Sequence, residues 1–290
     1  MIYLVLSICC SVLLGFIFKL FHRFGVDSFQ AIVFNYFTCV TCGSIQLGRF
    51  PVEIADFGSP WMPYALILGL VFISGFNGAA LTVRFFGVTV SQIMQKMSIL
   101  MTVPFAILAY GESSGPGKIA GFILALVSIV LVNLSSGKDG AGNTSPKGAL
   151  LWIPFLTWAL SGTLEVLFVR VQKEQLADIG NPVFISTVFG TAGLAGLLIA
   201  VGGLASGRLV FSWRNVAAGI VLGIPNYGSM LFLLLAFGGG LEGSFVFPVT
   251  NVGIILLTTI GAVWLFHEHL SKLNWIGVAL AAAAIILISL

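Results

Sequence analysis

Charge is what this chain lacks. Only 8% of its 290 residues are Asp, Glu, Lys or Arg, where a soluble domain carries about 25%. A chain so poor in charge cannot cover a water-facing surface. With 58% hydrophobic residues and a mean hydropathy of +1.09, it needs an apolar solvent, so an integral membrane protein with the lipid bilayer as partner is expected. The net charge of +3 comes without a Lys/Arg-rich run, which argues against a nucleic-acid partner. No phosphate loop of the Gly-x4-Gly-Lys-Ser/Thr type is present, which excludes a nucleotide-driven pump within this chain. The three histidines, His22, His267 and His269, fall at loop positions, and no His-Glu-x-x-His helix or nucleophile turn is read. No enzyme activity and no cofactor are therefore expected.

Cysteine is also sparse. Cys39-Val-Thr-Cys42 has dithiol spacing, but a zinc site needs two further ligands and no His stands close by. These cysteines, like Cys9 and Cys10, read as small packing residues between membrane helices. His267 and His269 flank Glu268 without further ligands, so no metal is expected. The N-terminus lacks the basic start and cleavage site of a secretory signal and reads as a retained first helix.

What is present is an internal repeat. One offset of 156 residues puts Gly87 on Gly243, Glu112 on Glu268, Gly121 on Gly277 and Leu131 on Leu287. Each copy is an apolar run, an acidic corner and a Gly-bearing apolar run. A hydrocarbon core takes roughly 20 apolar residues per helix. The breaks then give about ten spans, at 2–20, 28–47, 61–83, 88–110, 118–134, 148–169, from Asn181-Pro182 to 201, 215–237, 244–266 and 273–290. The longest polar stretch, 135–147, has the Gly/Ser composition of a flexible linker. The expected architecture is all-α, with two five-helix repeats at 1–134 and 148–290. Five is odd, so the halves insert with opposite orientations, an inverted-topology layout used by secondary transporters.

Ionisable groups inside an apolar run cost at least about 2.5 kcal/mol and need a partner or a wet cavity. Two stand well inside, Lys96 in the fourth span and Glu165 in the sixth. Gln92, Gln95 and Lys96 share one helical stripe. The functional reading is a polar cavity in which Lys96 attracts a carboxylate or phosphate and Glu165 carries a proton or meets a cationic group. The structural alternatives are a contact that only fixes the helices, or a Glu165 that snorkels toward Arg170. Gln95 maps onto Asn251, which with Thr250 follows Pro248 and has substrate contact or packing as its two readings. Pro225-Asn226-Tyr227 reads as a kink or hinge and Ser74-Gly-Phe-Asn77-Gly78 as a similar interruption, making Asn226, Tyr227 and Asn77 candidates. Trp158 and Tyr36 are candidate cavity walls. Glu112 and Glu268 read as scaffolding near helix starts.

The layout, with Gly111-Glu112 before the Gly121-bearing helix and Glu268 before Gly277, resembles the EamA type of the drug/metabolite transporter superfamily. The second corner departs from it with His267-Glu268 in place of Gly-Glu, and the loop after the second span lacks a dense basic cluster. The resemblance implies a secondary transporter, most often an exporter of an amino acid or related organic anion, working by alternating access as a monomer or homodimer. It implies a bacterial inner (plasma) membrane location, cytoplasmic termini, and a cavity among the first, third, fourth, sixth, eighth and ninth helices. Lys/Arg counts over the loops favour instead an N-terminus outside. Protons are a candidate coupling ion, on analogy with the proton-exchanging Glu of the four-helix branch. A nucleotide-sugar or phosphate antiporter and a lipid-carrier flippase share the same fold. A membrane-embedded enzyme and a channel are the other readings.

Overall fold

The computed structural model describes residues 1–134, 150–177, 182–266 and 271–289. The linker 135–147, Asn181 and the second acidic corner His267-Glu268-His269 lie outside the described residues. The described chain is helical, in the order α1 (Ile2–Arg23), α2 (Ser28–Leu47), α3 (Met62–Phe86), α4 (Val88–Lys96), α5 (Ile99–Tyr110), α6 (Pro116–Leu134), α7 (Trp152–Lys173), α8 (Pro182–Ala205), α9 (Trp213–Gly238), α10 (Gly243–Phe266) and α11 (Lys272–Ser289). Among the described residues, nine stretches are helical, long and apolar enough to cross a membrane, with α4 and α5 forming one of them. The more polar α2 has spanning length as well. Helix is the form in which a lipid-embedded backbone satisfies its own N–H and C=O groups. The chain is a multi-pass integral membrane protein.

The helices group into two units. The first comprises 1–73 and 171–240. In it α2 packs on α8 and α9, and α1 packs on α9. Helix α8 is buried from Pro182 through Phe189 without interruption, and Ala192, Gly193, Gly196 and Ala200 continue the buried side while Leu194, Leu198 and Val201 are exposed. Small residues set the approach of α2 and α9. A Cβ on Gly223 would come within 2.8 Å of the Asn35 carbonyl oxygen, and one on Gly219 within 2.6 Å of that of Ala31. The turn from α1 to α2 uses Gly25 at φ 62°, with the Val26 amide bonded to the Phe21 carbonyl, a Schellman ending. Asp27 then caps α2 by accepting from the Gln30 amide at 2.8 Å.

The second unit comprises 74–170 and 241–290. Here α6 packs on α11, and α10 packs on α5, α6 and α11. The α6–α11 contact is reciprocal. Gly121 lies against Ile288 and Gly277 against Val132, and the same 156-residue offset relates Gly121 to Gly277 and Val132 to Ile288.

Two expectations need correction. The fourth span is not one helix, because α4 ends at Lys96 and α5 begins at Ile99. Conversely, the interruption expected in the third span is absent, since α3 runs unbroken past Asn77, and α9 likewise continues as helix past Pro225. One proline removes only one helical N–H, and neighbouring groups in a packed bundle absorb that loss.

Candidate functional site

The break in the fourth span positions the site. At its end the α4 backbone tightens, with the Ser98 amide bonded to the Gln95 carbonyl three residues back. The Met97 carbonyl accepts from the Leu100 amide and also from the indole Nε1 of Trp158 on α7, at 3.0 Å. An indole from a neighbouring helix thus satisfies the backbone where the ladder changes pitch. Lys96 is the last residue before this break and Ser98 lies within it.

Ser98 and Thr102 lie one turn apart and both face Glu165 of α7. The Ser98 hydroxyl donates to Glu165 Oε1 at 2.7 Å and the Thr102 hydroxyl to Oε2 at 2.6 Å. Asn251 of α10 completes the set. Its Nδ2 donates to Glu165 Oε1 at 3.1 Å, and its Oδ1 accepts from Lys96 Nζ at 3.1 Å. One orientation of the amide serves both ionisable groups. Ser98, Thr102, Glu165 and Asn251 are all buried, Glu165 at 8% exposure.

Magnitudes favour retention of this network within the span. Hydrogen bonds to a charged group contribute about 1.5–3 kcal/mol each, and the carboxylate accepts three. Their sum offsets an intramembrane cost of about 2.5–3.5 kcal/mol on the insertion scale. Glu165 is thus well provided with donors, two on Oε1 and one on Oε2. Lys96 differs. An ammonium has three donors, and the Lys96 group spends one, on Asn251.

No protein-family model matches the chain. An uncharacterised protein of Haemophilus influenzae is 31% identical over 289 residues, covering 97% of this chain and 95% of the relative. The chain belongs to that protein's family. The UDP-galactose translocators of mouse and human are 26% and 25% identical, each match covering 69% of this chain. The chain spans about half the length of these translocators, 51% and 50% respectively. This distant homology supports a superfamily of the drug/metabolite transporter type. A solved crystal structure matches 99% of this chain and 94% of its own, with a TM-score of 0.76 at 14% identity, and so shares the fold. Together with the multi-span fold, the translocator homology points to a membrane transporter and so away from an enzyme.

Not every candidate of this family member converges on Lys96. Trp158 does, through Met97. Thr250, next to Asn251, is buried with a hydroxyl that has no partner among the described residues. Gln95 turns back along its own helix to Ser91, while Gln92 is exposed, so the expected polar stripe is not wholly internal. Asn77 is half-buried on α3. The snorkelling alternative for Glu165 fails against its burial and its three donors. The other three candidates belong to the first unit and tie its helices together. Asn226 donates to Asn35 at 3.1 Å, Tyr227 donates to Gln46 at 2.7 Å, and buried Tyr36 stacks on Phe189. Cys39 packs against the Gly223 carbonyl.

The first acidic corner is indeed a cap, but for a distant helix. The Glu112 carboxylate accepts from the amides of Gly243 and Ser244 at 2.9 and 2.7 Å, at the start of α10. Beside it, Glu242 accepts from the Ser113 amide and hydroxyl and from Lys118. Burial alone would raise the Glu242 carboxyl, but these donors and the Lys118 charge hold it at about 2. Gly111-Glu112-Ser113-Ser114-Gly115 does have the spacing of a nucleophile turn. It joins two helices rather than a strand and a helix, and Glu242 and Lys118 hold its serine hydroxyl.

Ser98, Thr102 and Glu242 were missed from the sequence. The one available signal was Ser98-x-x-x-Thr102, an i, i+4 hydroxyl pair directly after Lys96.

Proposed function

We propose that this chain is a secondary transporter of the EamA type that binds a small organic anion at Lys96. The observation that carries the reading is the asymmetry between the two ionisable groups inside the spans, buried Glu165 and half-buried Lys96. Glu165 is met by three donors, from Ser98, Thr102 and Asn251, whereas Lys96 makes a single hydrogen bond, to Asn251, and keeps further donors. A carboxylate or phosphate is the group that such an ammonium recognises. A broken span beside it is a common feature of transporter binding sites.

The transport cycle is alternating access between two inverted repeats. Support comes from the 156-residue offset, the five apolar runs on each side of the linker, and the reciprocal contacts of Gly121 and Gly277. Protons are the proposed coupling ion. The Thr102 hydroxyl has a second acceptor, the Ser98 carbonyl at 3.2 Å. It can turn there when Glu165 takes a proton, leaving its own oxygen to accept from the new Glu165 O–H. Export of an amino acid or related anion across a bacterial inner membrane follows from the EamA resemblance, and the Haemophilus relative agrees with a bacterial setting.

One further reading has its own support. The UDP-galactose translocators favour a nucleotide-sugar antiporter, in which Lys96 would meet the diphosphate. A metabolite screen tests both readings. Cells making the wild type are compared with cells making Lys96→Ala for solutes gained or lost. The expected difference is confined to carboxylate- or phosphate-bearing solutes, and identical profiles would remove Lys96 from the site.

A further inference from the structure

One end of the first unit carries a groove remote in sequence from the buried network. It opens between the last turns of α1 and the first turns of α9 and has a volume of about 880 Å³, within the range of ligand cavities. Ile17 and Leu20 of α1 and Ala217 and Val221 of α9 give it apolar walls. Two arginines, Arg23 and Arg214, line it as well, and both are exposed. Neither guanidinium makes a hydrogen bond or ion pair among the described residues.

The position is interfacial. Arg23 lies just past the apolar stretch that ends at Phe21, and Arg214 is in the first turn of α9. Trp213 beside it is 76% exposed and edge-packed on Phe211, as befits an aromatic at headgroup level. The charge at this end of the unit is one-sided. Lys19, Arg23, Arg208 and Arg214 stand against Asp27, whose carboxylate is occupied in capping α2.

We infer that this groove binds an anionic phospholipid, with the headgroup phosphate between Arg23 and Arg214 and an acyl chain along the apolar walls. A guanidinium pair recognises phosphate through its planar forks of donors. The wall between helices is apolar at Ile17, Leu20 and Phe21 and at Ala217 and Val221, which suits part of a lipid chain and offers a free phosphate nothing. A zwitterionic lipid fits the walls equally well but brings a cation to a site that already holds two. The groove therefore discriminates by headgroup charge.

The test uses the full-length protein in detergent. Melting is followed with added phosphatidylglycerol, with phosphatidylcholine of the same chain length, and with inorganic phosphate. A ligand that binds only the folded state raises the melting temperature. The expected result is a rise of a few degrees with phosphatidylglycerol and little change with the other two. Arg23→Gln/Arg214→Gln should melt like the wild type in detergent alone and lose the response. Should that variant fold poorly, Val221→Trp, which fills the wall and keeps both charges, should also lose it. Equal shifts from the two lipids, an equal shift from phosphate alone, or an undiminished response in a folded variant would each overturn the assignment.

Discussion

Asn251 donates its amide to Glu165 across 3.1 Å from α10 to α7, and the same side chain accepts Lys96 from α4. Three helices far apart in sequence thus meet on one carboxamide. The two ionisable groups see each other through it, so a change at one alters what the other is bonded to.

That coupling sets the first prediction. Glu165→Ala leaves Lys96 without its counter-charge and Ser98 and Asn251 without their acceptor. Removing one partner of a buried pair costs about 3–5 kcal/mol. The Lys96→Met/Glu165→Met double variant, with similar volume and no charge, should melt well above Glu165→Ala. Thermal melts of the purified variants read the comparison, and equal melting of the two would mean that the network is energetically idle.

The cap on α10 gives a second expectation. Glu112→Ala frees the amides of Gly243 and Ser244, which it holds at 2.9 and 2.7 Å. Loss of a helix cap costs about 0.5–2 kcal/mol. Glu112→Ala should therefore lower the melting temperature while leaving the selectivity for solutes as it was. A change in selectivity at unchanged stability would move Glu112 from the scaffold to the site.

Glu242 carries a pH signature. Its folded-state value is depressed to about 2, below its ordinary 4.5, so it binds fewer protons when folded than when unfolded. The stability it contributes is complete above about pH 4.5 and is lost as pH falls toward 2. Melting should be insensitive to this contact between pH 6 and 8. Between pH 5 and 3 the wild type should lose more stability than Glu242→Gln, and parallel curves for the two would contradict the pairing with Lys118.

The repeat makes its own prediction. A Cβ on Gly121 would stand 2.9 Å from the Ile288 amide nitrogen, and one on Gly277 would stand 2.8 Å from that of Val132. Gly121→Ala and Gly277→Ala should each cost about 1–3 kcal/mol by overpacking, and by similar amounts. Gly15→Ala, with nothing within 4 Å of the new carbon, is the control and should be neutral or slightly stabilising. A cost confined to one of the two glycines would speak against symmetric halves.

Lys96 and Glu165 were legible because charge is so rare in this chain that each instance inside an apolar run stands out, and Asn251 because the 156-residue offset places it on Gln95. Ser98 and Thr102 were not, since hydroxyls in membrane helices usually bond their own backbone, as Thr38 and Thr187 do here. The break at Met97–Ser98 was hidden because neither residue is Gly or Pro and a distant indole stabilises it. The Ser74-Gly-Phe-Asn77-Gly78 stretch misled in the opposite direction, since α3 runs through it without a break. The corner Glu112 was recognised as scaffolding, but its partner amides lie 131 and 132 residues away, beyond any local pattern.

The central claim is that Lys96 receives the anion while Glu165 handles the proton. Proteoliposome transport separates these roles, once with solute exchange at equal pH and once with an imposed pH gradient. The account predicts that Lys96→Gln loses both activities for a carboxylate- or phosphate-bearing solute, and that Glu165→Gln keeps exchange but no longer responds to the gradient. Exchange by folded Lys96→Gln at the wild-type rate would contradict it.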